Sequence, residues 1–468
     1  MSVLGNPAFG VGSELPEGWE WSTLGEVSEK PQYGWTTKAN HDAGNLRLLR
    51  TTDITSGAVD WSTVPYCTDD PEDIEKYLVE SGDILISRAG SVGVSFLISQ
   101  PERAVFASYL IRFRPKKGID TKYFYYYLKS PAYWEAIGAS KSGIAVPNVN
   151  ASKLAQVAIP VAPLDQQTRI VAEIEKQFSR LDEAVANLKR VKANLKRYKA
   201  AVLKAAVEGR LVETEAERAR REGRSFETGA QLLQRVLETR RSQWQGKGKY
   251  KEPAAPDTSD LPELPEGWVW ARLDAIAALK GGITVDSKRQ DQTARVVPYL
   301  RVANVQRGYL DLSEVKTISA PASDIESLRL RLGDILFNEG GDRDKLGRGW
   351  IWEDQLADCI HQNHVFRARL VAADVLPKLV SWWGNTFGKD YFQREGKQTT
   401  NLASINLTKL SAFPVPLPPL AEQQRIVAEV DRRLTLLRAT EDQVDANLQR
   451  AECLRQSILS AAFSGGVA

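Results

Sequence analysis

The sequence has few cysteines and no apolar run long enough to form a membrane-spanning helix. Cys67, Cys359 and Cys453 are scattered and odd in number, which argues against a disulfide framework or a cysteine metal site and fits a reducing cytosol. No stretch approaches the roughly 18 uninterrupted apolar residues of a membrane helix, and the first residues lack the charged and apolar regions of a signal peptide. These absences predict a soluble cytoplasmic protein.

Sequence motifs of catalysis are also missing. There is no Gly-x-x-x-x-Gly-Lys-Ser/Thr loop, no Gly-x-Gly-x-x-Gly loop, no His-Glu-x-x-His and no paired Cys-x-x-Cys. His361 and His364 have no neighbouring carboxylate at ligand spacing, so a hydrogen bond to a phosphate or a base is favoured over metal binding. An enzyme would need a cofactor loop or an acidic metal cluster. We therefore predict no catalytic residue, metal site or cofactor in this chain.

Length and charge set the outer limits of the architecture. The 468 residues exceed the roughly 250–300 at which a single core stops growing, which predicts two domains. The net charge of +3 is too small to indicate a nucleic-acid partner. Locally, residues 189–204 contain seven lysines or arginines and no acid. This cationic section complements a helix dipole, and it could also lie against an acidic protein or a phosphate backbone.

Two halves of the chain begin and end with nearly the same phrases. Residues 14–21 read Glu-Leu-Pro-Glu-Gly-Trp-Glu-Trp, and residues 263–270 read Glu-Leu-Pro-Glu-Gly-Trp-Val-Trp. The closing phrase Arg-Ile-Val-Ala-Glu at 169–173 returns at 425–429. This period is far too long for a solenoid, so it predicts two large similar modules with a pseudo-two-fold relation, each a compact domain followed by a helix.

The compact part of each module is predicted to be mostly β. In the first copy, 84–86, 95–98 and 109–113 are apolar runs of strand length, bounded by turn residues. One helical stretch, 122–136, carries an aromatic run at 123–128, which we interpret as a packed helix face rather than a base-stacking platform. The fold class is therefore α+β, with two mixed, mostly β domains separated by two long helices.

The long helices follow from heptad patterns. Residues 165–212 contain no proline and one glycine, and residues 421–462 contain neither; both stretches repeat apolar residues in steps of three and four. A helix of roughly 65 Å with one apolar stripe needs a partner helix. We predict that the two helices pair as an antiparallel coiled coil; the alternative is that each packs only on its own domain. The residues predicted for this packing are Ile174, Phe178, Leu181, Val185, Leu188, Val430, Leu434 and Leu437.

Turn-rich segments of both β-rich domains carry side chains suited to reading a DNA duplex. Arginine and lysine read guanine edges, asparagine and glutamine read adenine, and glycines let the backbone approach phosphates. The predicted DNA-binding residues of the first domain are Tyr33, Lys38, Arg47, Arg50, Arg88, Ser91, Lys141 and Asn148. Those of the second domain are Lys280, Thr284, Lys288, Arg301, Asn304, Arg343, Lys345, Lys397 and Asn401.

Together these phrases resemble one family, the specificity subunits of Type I restriction–modification systems. The resemblance covers nearly the whole chain. It is carried by Leu-Pro-Glu-Gly-Trp at 15–19 and 264–268 and by Gly-Asp-Ile-Leu at 82–85 and 333–336. The pattern Pro-Leu-x-x-Gln-x-x-Ile-Val at 163–171 and 419–427 is equally typical. One departure is that the segment 87–93 has a longer and more charged counterpart at 338–347, so the two loops need not contact DNA identically.

The resemblance implies a non-catalytic subunit that reads a split DNA target. Two target-recognition domains would each read one half-site, and the helices would set the gap. Two modification subunits would bring S-adenosylmethionine and methylate adenine, and motor-nuclease subunits would cut unmodified DNA. The predicted division is 14–162 first target-recognition domain, 163–212 central spacer helix, 213–262 charged helix and linker, 263–418 second target-recognition domain, and 419–468 carboxyl-terminal spacer helix.

Two interpretations stay open at this point. A coiled-coil scaffold without sequence-specific DNA binding would account for the helices but not for two differing β-rich domains, and it would lack salt-dependent affinity for duplex DNA. The segment 213–262 is most simply a solvated helix and tether, and the alternative is a contact surface for a partner subunit. The bases recognised depend on loop geometry and DNA shape and do not follow from the sequence.

Overall fold

A computed structural model of the protein describes residues 15–140, 148–245, 248–285, 294–341, 345–398 and 403–466. The chain divides into two compact units: a first unit of residues up to Val191 together with those from Gln443 onward, and a second unit of Lys192–Asp442. Both contain helices and strands, which confirms the α+β class. Among the helices in these ranges, none has both the length and the apolar character needed to cross a membrane.

The first unit is built on two four-stranded sheets. Its strands are β1 (Glu20–Thr23), β2 (Gln32–Tyr33), β3 (Ala39–Asn40), β4 (Arg47–Leu49), β5 (Tyr66–Cys67), β6 (Ile84–Ser87), β7 (Ser95–Leu97), β8 (Ala104–Phe106), β9 (Leu110–Phe113) and β10 (Ala158–Val161). One sheet has the order β2-β9-β6-β7 and the other the order β3-β5-β4-β8, in which β4 and β8 are parallel. Strands β1 and β10 form a separate antiparallel pair.

Helices accompany these strands along the chain, and the last of them is far longer than the others. They are α1 (Thr51–Ile54), α2 (Ile74–Tyr77), α3 (Thr121–Tyr127), α4 (Pro131–Ser140), α5 (Ala151–Ala155) and the long α6 (Leu164–Val207). The single helix predicted at 122–136 is two helices, because Pro131 cannot continue the hydrogen-bond ladder of α3 and instead begins α4. Tyr123, Phe124 and Tyr127 of the aromatic run are fully buried, which confirms that it is a packed helix face.

The second unit has the following elements. The helices before its sheets are α7 (Glu215–Glu222) and α8 (Gly229–Ser242). Its strands are β11 (Val269–Arg272), β12 (Ala277–Lys280), β13 (Arg295–Leu300), β14 (Val305–Gln306), β15 (Tyr309–Leu310), β16 (Lys316–Ala320), β17 (Ile335–Asn338), β18 (Gly340–Gly341), β19 (Gly349–Ile351), β20 (Ile360–His361), β21 (Val365–Leu370), β22 (Lys397–Gln398), β23 (Ala403–Ser404) and β24 (Pro414–Leu417). The remaining helices are α9 (Leu273–Ile276), α10 (Ala322–Leu328), α11 (Pro377–Thr386), α12 (Gly388–Glu395), α13 (Leu407–Ser411) and α14 (Leu420–Phe463), of which the part of α14 from Gln443 onward belongs to the first unit.

The same strand pairings occur in both units. The order β12-β21-β17-β19 in the second unit matches β2-β9-β6-β7 in the first, and the pair β11–β24 matches β1–β10. The parallel pair β13–β20 likewise matches β4–β8. The repeated sequence phrases therefore correspond to a repeated framework of strands.

The shared Leu-Pro-Glu-Gly-Trp phrase fastens each domain to the start of a long helix. In the first unit the indole Nε1 of Trp19 donates a 2.9 Å hydrogen bond to Oε1 of Gln166, in the first turn of α6. In the second unit Nε1 of Trp268 donates a 2.9 Å hydrogen bond to Oε1 of Glu422, in the first turn of α14. The phrase is thus structural, because its tryptophan ties the start of the β-rich domain to the first turn of a long helix.

In the first unit, residues early in α6 contact residues late in α14. Phe178 belongs to one buried cluster with Ile458 and Leu459. The guanidinium of Arg455 lies 4.3 Å from the ring centre of Phe178 and also pairs with Asp182. The apolar stripe at this end therefore packs partly on another helix and partly on its own domain, since the cluster also contains residues of the β-rich domain.

In the second unit, residues late in α6 contact residues early in α14. Val202 lies in one buried cluster with Ile426 and Val430, and Nη1 of Arg433 donates a 3.4 Å hydrogen bond to the hydroxyl of Tyr198. Of the eight residues predicted for helix packing, the buried ones are Ile174, Phe178, Leu181, Val430 and Leu437, and the half-buried ones are Val185, Leu188 and Leu434.

The segment after α6 is more than a solvated helix and tether, so that interpretation was wrong for α7 and α8. Leu232 and Val236 of α8 are fully buried in the core of the second unit. The backbone N–H of Glu215, at the start of α7, donates a 2.8 Å hydrogen bond to the buried carboxylate of Glu422, whose pKa is raised by burial. Burial acts to raise the pKa of Glu215 as well, but hydrogen bonds from Arg224 and Arg425 outweigh it and lower the pKa.

Candidate nucleic-acid interface

A buried aspartate precedes the central strand of one sheet in each unit, at the end opposite to the candidate loop. Asp83, from the first Gly-Asp-Ile-Leu phrase, accepts a 2.5 Å hydrogen bond from Nε of Arg114. Asp334, from the second, accepts two hydrogen bonds of 2.7 Å from Arg369. Each carboxylate also accepts a backbone N–H at the turn before its strand, at 2.9 and 2.8 Å. The aspartate of this phrase therefore has a structural role in each sheet, and the candidate ligand-binding residues lie in the loops that follow.

In the first unit, three of the predicted residues come together where β6 ends. Arg88 follows β6, and its guanidinium carbon lies 5.0 Å from the ring centre of Tyr33. The hydroxyl of Tyr33 accepts a 2.9 Å hydrogen bond from the N–H of Ala151. Asn148 pairs with Ala89 in an antiparallel bridge, which brings it next to the same loop. The loop thus presents a cation, an aromatic ring and an amide on one edge of the sheet.

A groove of about 350 Å³ lies beside this loop and includes the predicted residue Ser91. Its other lining residues are Thr51, Thr52, Thr55, Ala89, Gly90 and Tyr109. Tyr109 is 60% exposed, and its carbonyl accepts the N–H of Arg88 at 2.9 Å. The sequence interpretation placed Tyr109 inside a strand; it precedes β9, and the preceding Ser108 was the available signal for a turn.

The other predicted residues of the first domain are engaged elsewhere or are outside the description. Arg47 donates a 2.7 Å hydrogen bond to the carbonyl of Val64 and pairs with Glu102 at 3.0 Å. Arg50 binds Asp53 through two nitrogens at the start of α1. Both side chains brace their own loops, and their contact with DNA stays a prediction. Lys38 is exposed, and Lys141 lies outside the described residues.

The second unit repeats the same loop framework with different side chains. The N–H of Glu339, which follows β17, donates a 2.9 Å hydrogen bond to the carbonyl of His364, just as Arg88 does to Tyr109. The carbonyl of Glu339 accepts the N–H of Ile405 at 2.8 Å. In addition, Oε2 of Glu339 lies 2.5 Å from Nδ1 of His364. Glu339 was not among the predicted DNA-binding residues, because no acidic side chain was considered as a partner for DNA bases.

The predicted residues of the second domain are more dispersed. The buried amide of Asn304 donates 2.9 Å hydrogen bonds to the carbonyls of Asp311 and Glu314 and accepts the N–H of Arg301, so this side chain serves its own turn. Lys280 ends β12, Thr284 is exposed, and Lys345 is half-buried. Lys397 lies in β22, but its side chain, like the whole of Lys288, Arg343 and Asn401, is outside the description. Their contacts with DNA stay predictions.

The two neighbouring histidines have different environments. His361 is fully buried; burial lowers its pKa to about 4, and its Nδ1–H donates a 2.6 Å hydrogen bond to the carbonyl of Val365. The expectation that His361 would bind a phosphate or a base was therefore wrong, because its side chain has no exposed surface. His364 is more than half exposed and remains available at the surface. Within the ranges given above, no three His, Cys, Asp or Glu side chains are arranged to hold a metal ion.

Known proteins with a similar sequence all come from one class. Residues 16–197 match the model of a family described as the Type I restriction modification DNA specificity domain. The chain is 24% identical to the EcoKI specificity subunit of Escherichia coli K12 and 24% identical to the StySPI specificity subunit of Salmonella potsdam. Each alignment covers 97% of this chain and 90% of the relative. The chain is therefore similar over nearly its whole length to Type I restriction–modification specificity subunits, and residues 16–197 match the model of their DNA specificity domain.

Solved structures agree on the fold. The HsdS subunit from Thermoanaerobacter tengcongensis superposes with a TM-score of 0.55 at 18% identity, covering 97% of this chain and 98% of that one. A chain from a structural study of complex assembly and conformational transition of the type I R-M system gives a TM-score of 0.62 at 20% identity, with 97% and 99% coverage.

Proposed function

We propose that this chain is the non-catalytic subunit that gives a Type I restriction–modification complex its DNA sequence specificity. Each mostly β domain would read one half of a split target. The observation that carries this proposal is that one loop framework is built twice and carries different side chains: Arg88 with Tyr33 in one domain, Glu339 with His364 in the other. Two readers on equivalent frameworks suit an asymmetric, bipartite DNA sequence.

The long helices are proposed to pair as an antiparallel coiled coil with a pseudo-two-fold relation, which sets the number of unread base pairs between the half-sites. Supporting contacts are the pairing of Asp182 with Arg455 in the first unit and of Tyr198 with Arg433 in the second. Each helix has 44 residues, which corresponds to about 66 Å at 1.5 Å per residue. A spacer of fixed length would let both domains face the same side of the duplex.

The catalytic steps are proposed to belong to partner subunits. Two modification subunits would bind S-adenosylmethionine and methylate adenine, and restriction subunits would supply the motor and nuclease. A groove of about 520 Å³ in the first unit supports helix-mediated docking, because it is lined mostly by apolar side chains of α6 and α14, including Leu181, Leu188, Val191 and Leu454. An apolar groove of this kind is suited to bind the apolar face of a partner helix, because that contact removes both surfaces from water.

The test is the pattern of DNA methylation in cells that carry this chain with its modification subunit. We expect a bipartite adenine-methylated motif with a fixed gap, lost when this chain is deleted. An unsplit motif, or methylation that persists after deletion, would contradict the proposal. The scaffold alternative predicts something different again: no salt-dependent affinity of the assembled complex for duplex DNA.

A further inference from the structure

Glu339 occupies in the second unit the position that Arg88 occupies in the first. Both residues directly follow the central strand of their sheet. The N–H of Glu339 donates a 2.9 Å hydrogen bond to the carbonyl of His364, and the N–H of Arg88 donates one of the same length to the carbonyl of Tyr109. The frameworks match hydrogen bond by hydrogen bond. The side chains, however, have opposite charge.

This difference in charge is a difference in hydrogen-bonding chemistry. An arginine side chain only donates, and in the major groove it fits the O6 and N7 acceptors of guanine. An ionised carboxylate only accepts, and it fits the exocyclic amino group of cytosine or adenine. With His364 donating to one oxygen of Glu339 at 2.5 Å, a carboxylate retains acceptor sites for such an amino group.

The local geometry suits a reading role for this carboxylate. The side chain of Glu339 is 27% exposed and that of His364 is 55% exposed, so the pair is held in place yet accessible. A side chain fixed by a neighbour loses less conformational entropy when it binds. A carboxylate on a DNA-binding surface is repelled by the phosphate backbone but can accept a hydrogen bond from a base edge. An acid at this position therefore favours contact with a base over contact with a phosphate.

We propose that Glu339, positioned by His364, reads a base of the second half-site by accepting a hydrogen bond from the exocyclic amino group of an adenine or a cytosine. This inference rests on the proposed function, because only a DNA-reading domain brings a base to this pair. Glu339 contacts the base, and His364 acts through Glu339 as a positioning residue. The equivalent residue of the first domain, Arg88, reads an acceptor edge instead.

The experiment is a plasmid library randomised over both half-sites and methylated in cells by the complete complex. Sequencing of methyladenine gives the base preference at each position. For Glu339→Met, whose side chain has a similar length but no carboxylate to accept the hydrogen bond, we expect the preference for adenine or cytosine at one position of the second half-site to fall by about five- to 150-fold. The first half-site should be unchanged, and the library shows which of the two bases is read.

Variants of His364 separate positioning from a merely structural role. His364→Phe keeps a ring of similar size but removes the donor, so it should relax the same base position. His364→Asn places an amide N–H near the position of Nδ1 and should restore the preference. Glu353→Met, the same substitution at an exposed acid of the same unit, should change neither half-site, and Arg88→Gln should alter only the first.

The outcomes distinguish this inference from the proposed function. If the wild-type complex gives a bipartite motif but Glu339→Met methylates it with unaltered preference, the reading role of Glu339 is wrong. The reading role is also wrong if Glu339→Met changes the first half-site. If Glu339→Met gives no methylation, His364→Phe decides, since an unaltered second half-site in that variant also overturns the inference. Absence of any chain-dependent split motif in the wild type refutes the proposed function itself.

Discussion

The spacing between the two half-sites is the property that the long helices are proposed to set, and it can be shortened by design. Deleting 189–195 from α6 and 441–447 from α14 removes one heptad from each helix. The apolar pattern survives, because Leu188 is then followed by Tyr198 and Val202 at spacings of three and seven. The equivalent spacing is kept in α14, so the proposed pairing is shortened without being scrambled.

The expected change follows from helix geometry. Seven residues at 1.5 Å each shorten the spacer by about 10 Å, and DNA rises about 3.4 Å per base pair. The gap in the methylated motif should therefore shrink by about three base pairs. Because three base pairs also turn the duplex by roughly a third of a helical turn, we expect methylation to be slower at the new spacing.

Long-read detection of methyladenine in cells carrying the shortened chain measures both the gap and the half-sites. A matched control keeps the length and removes the same charges, by substitution of alanine for Lys189, Arg190, Lys192, Glu441, Asp442 and Asp445. The control should leave the gap unchanged. The reasoning is refuted if the double deletion leaves the gap unchanged, or if it alters the bases within either half-site.

Three further predictions concern the second unit. Leu232→Ala should lower the free energy of unfolding by about 2–5 kcal/mol in denaturant melts because Leu232 is fully buried, and a neutral result would mean that α8 is not part of the core. Arg369→Ala should lower the free energy of unfolding by about 3 kcal/mol, because buried Asp334 loses both hydrogen bonds from Arg369 and keeps only the backbone N–H of Arg331; an effect below 0.5 kcal/mol, roughly that of a surface substitution, would contradict this. Burial lowers the pKa of His361 to about 4 in the folded protein, whereas an unfolded chain has a histidine pKa of about 6.5. Between these values only the unfolded chain binds the proton, so the free energy of unfolding should fall as the pH drops from about 6.5 to 4. That loss should be absent in His361→Gln, and thermal melts across this pH range are the measurement.

The long helices were predictable from the sequence because their pattern is local. An uninterrupted heptad stripe over forty residues has few other solutions, and the helices observed at Leu164–Val207 and Leu420–Phe463 begin within one residue of the predicted starts. Strands such as β6 and β9 were found for the same reason, since each is a short apolar run between turn residues. The break between α3 and α4 was missed although Pro131 marks it.

The candidate surface was predictable only in part, because it depends on contacts between distant segments. Tyr33, Arg88 and Asn148 meet through pairings that no local pattern encodes. Residue type alone also misleads: Asn304 has the chemistry of a base reader, but its amide is used up inside its own turn. Burial of α8 was missed since a charged, helix-prone segment is compatible with both a tether and a docked helix.

The duplicated framework explains how one chain could read an asymmetric target without two unrelated folds. Structural constraints act on the aspartate phrase, the tryptophan anchors and the strand order, which both units share. The loop residue after the central strand is free of these constraints, since its backbone supplies the framework hydrogen bonds whatever its side chain is. Arg88 and Glu339 differ at this position, because arginine only donates hydrogen bonds and an ionised glutamate only accepts them. Exchanging a donor for an acceptor at this position would therefore be a route to a new half-site that leaves the fold, the spacer and the partner surfaces intact.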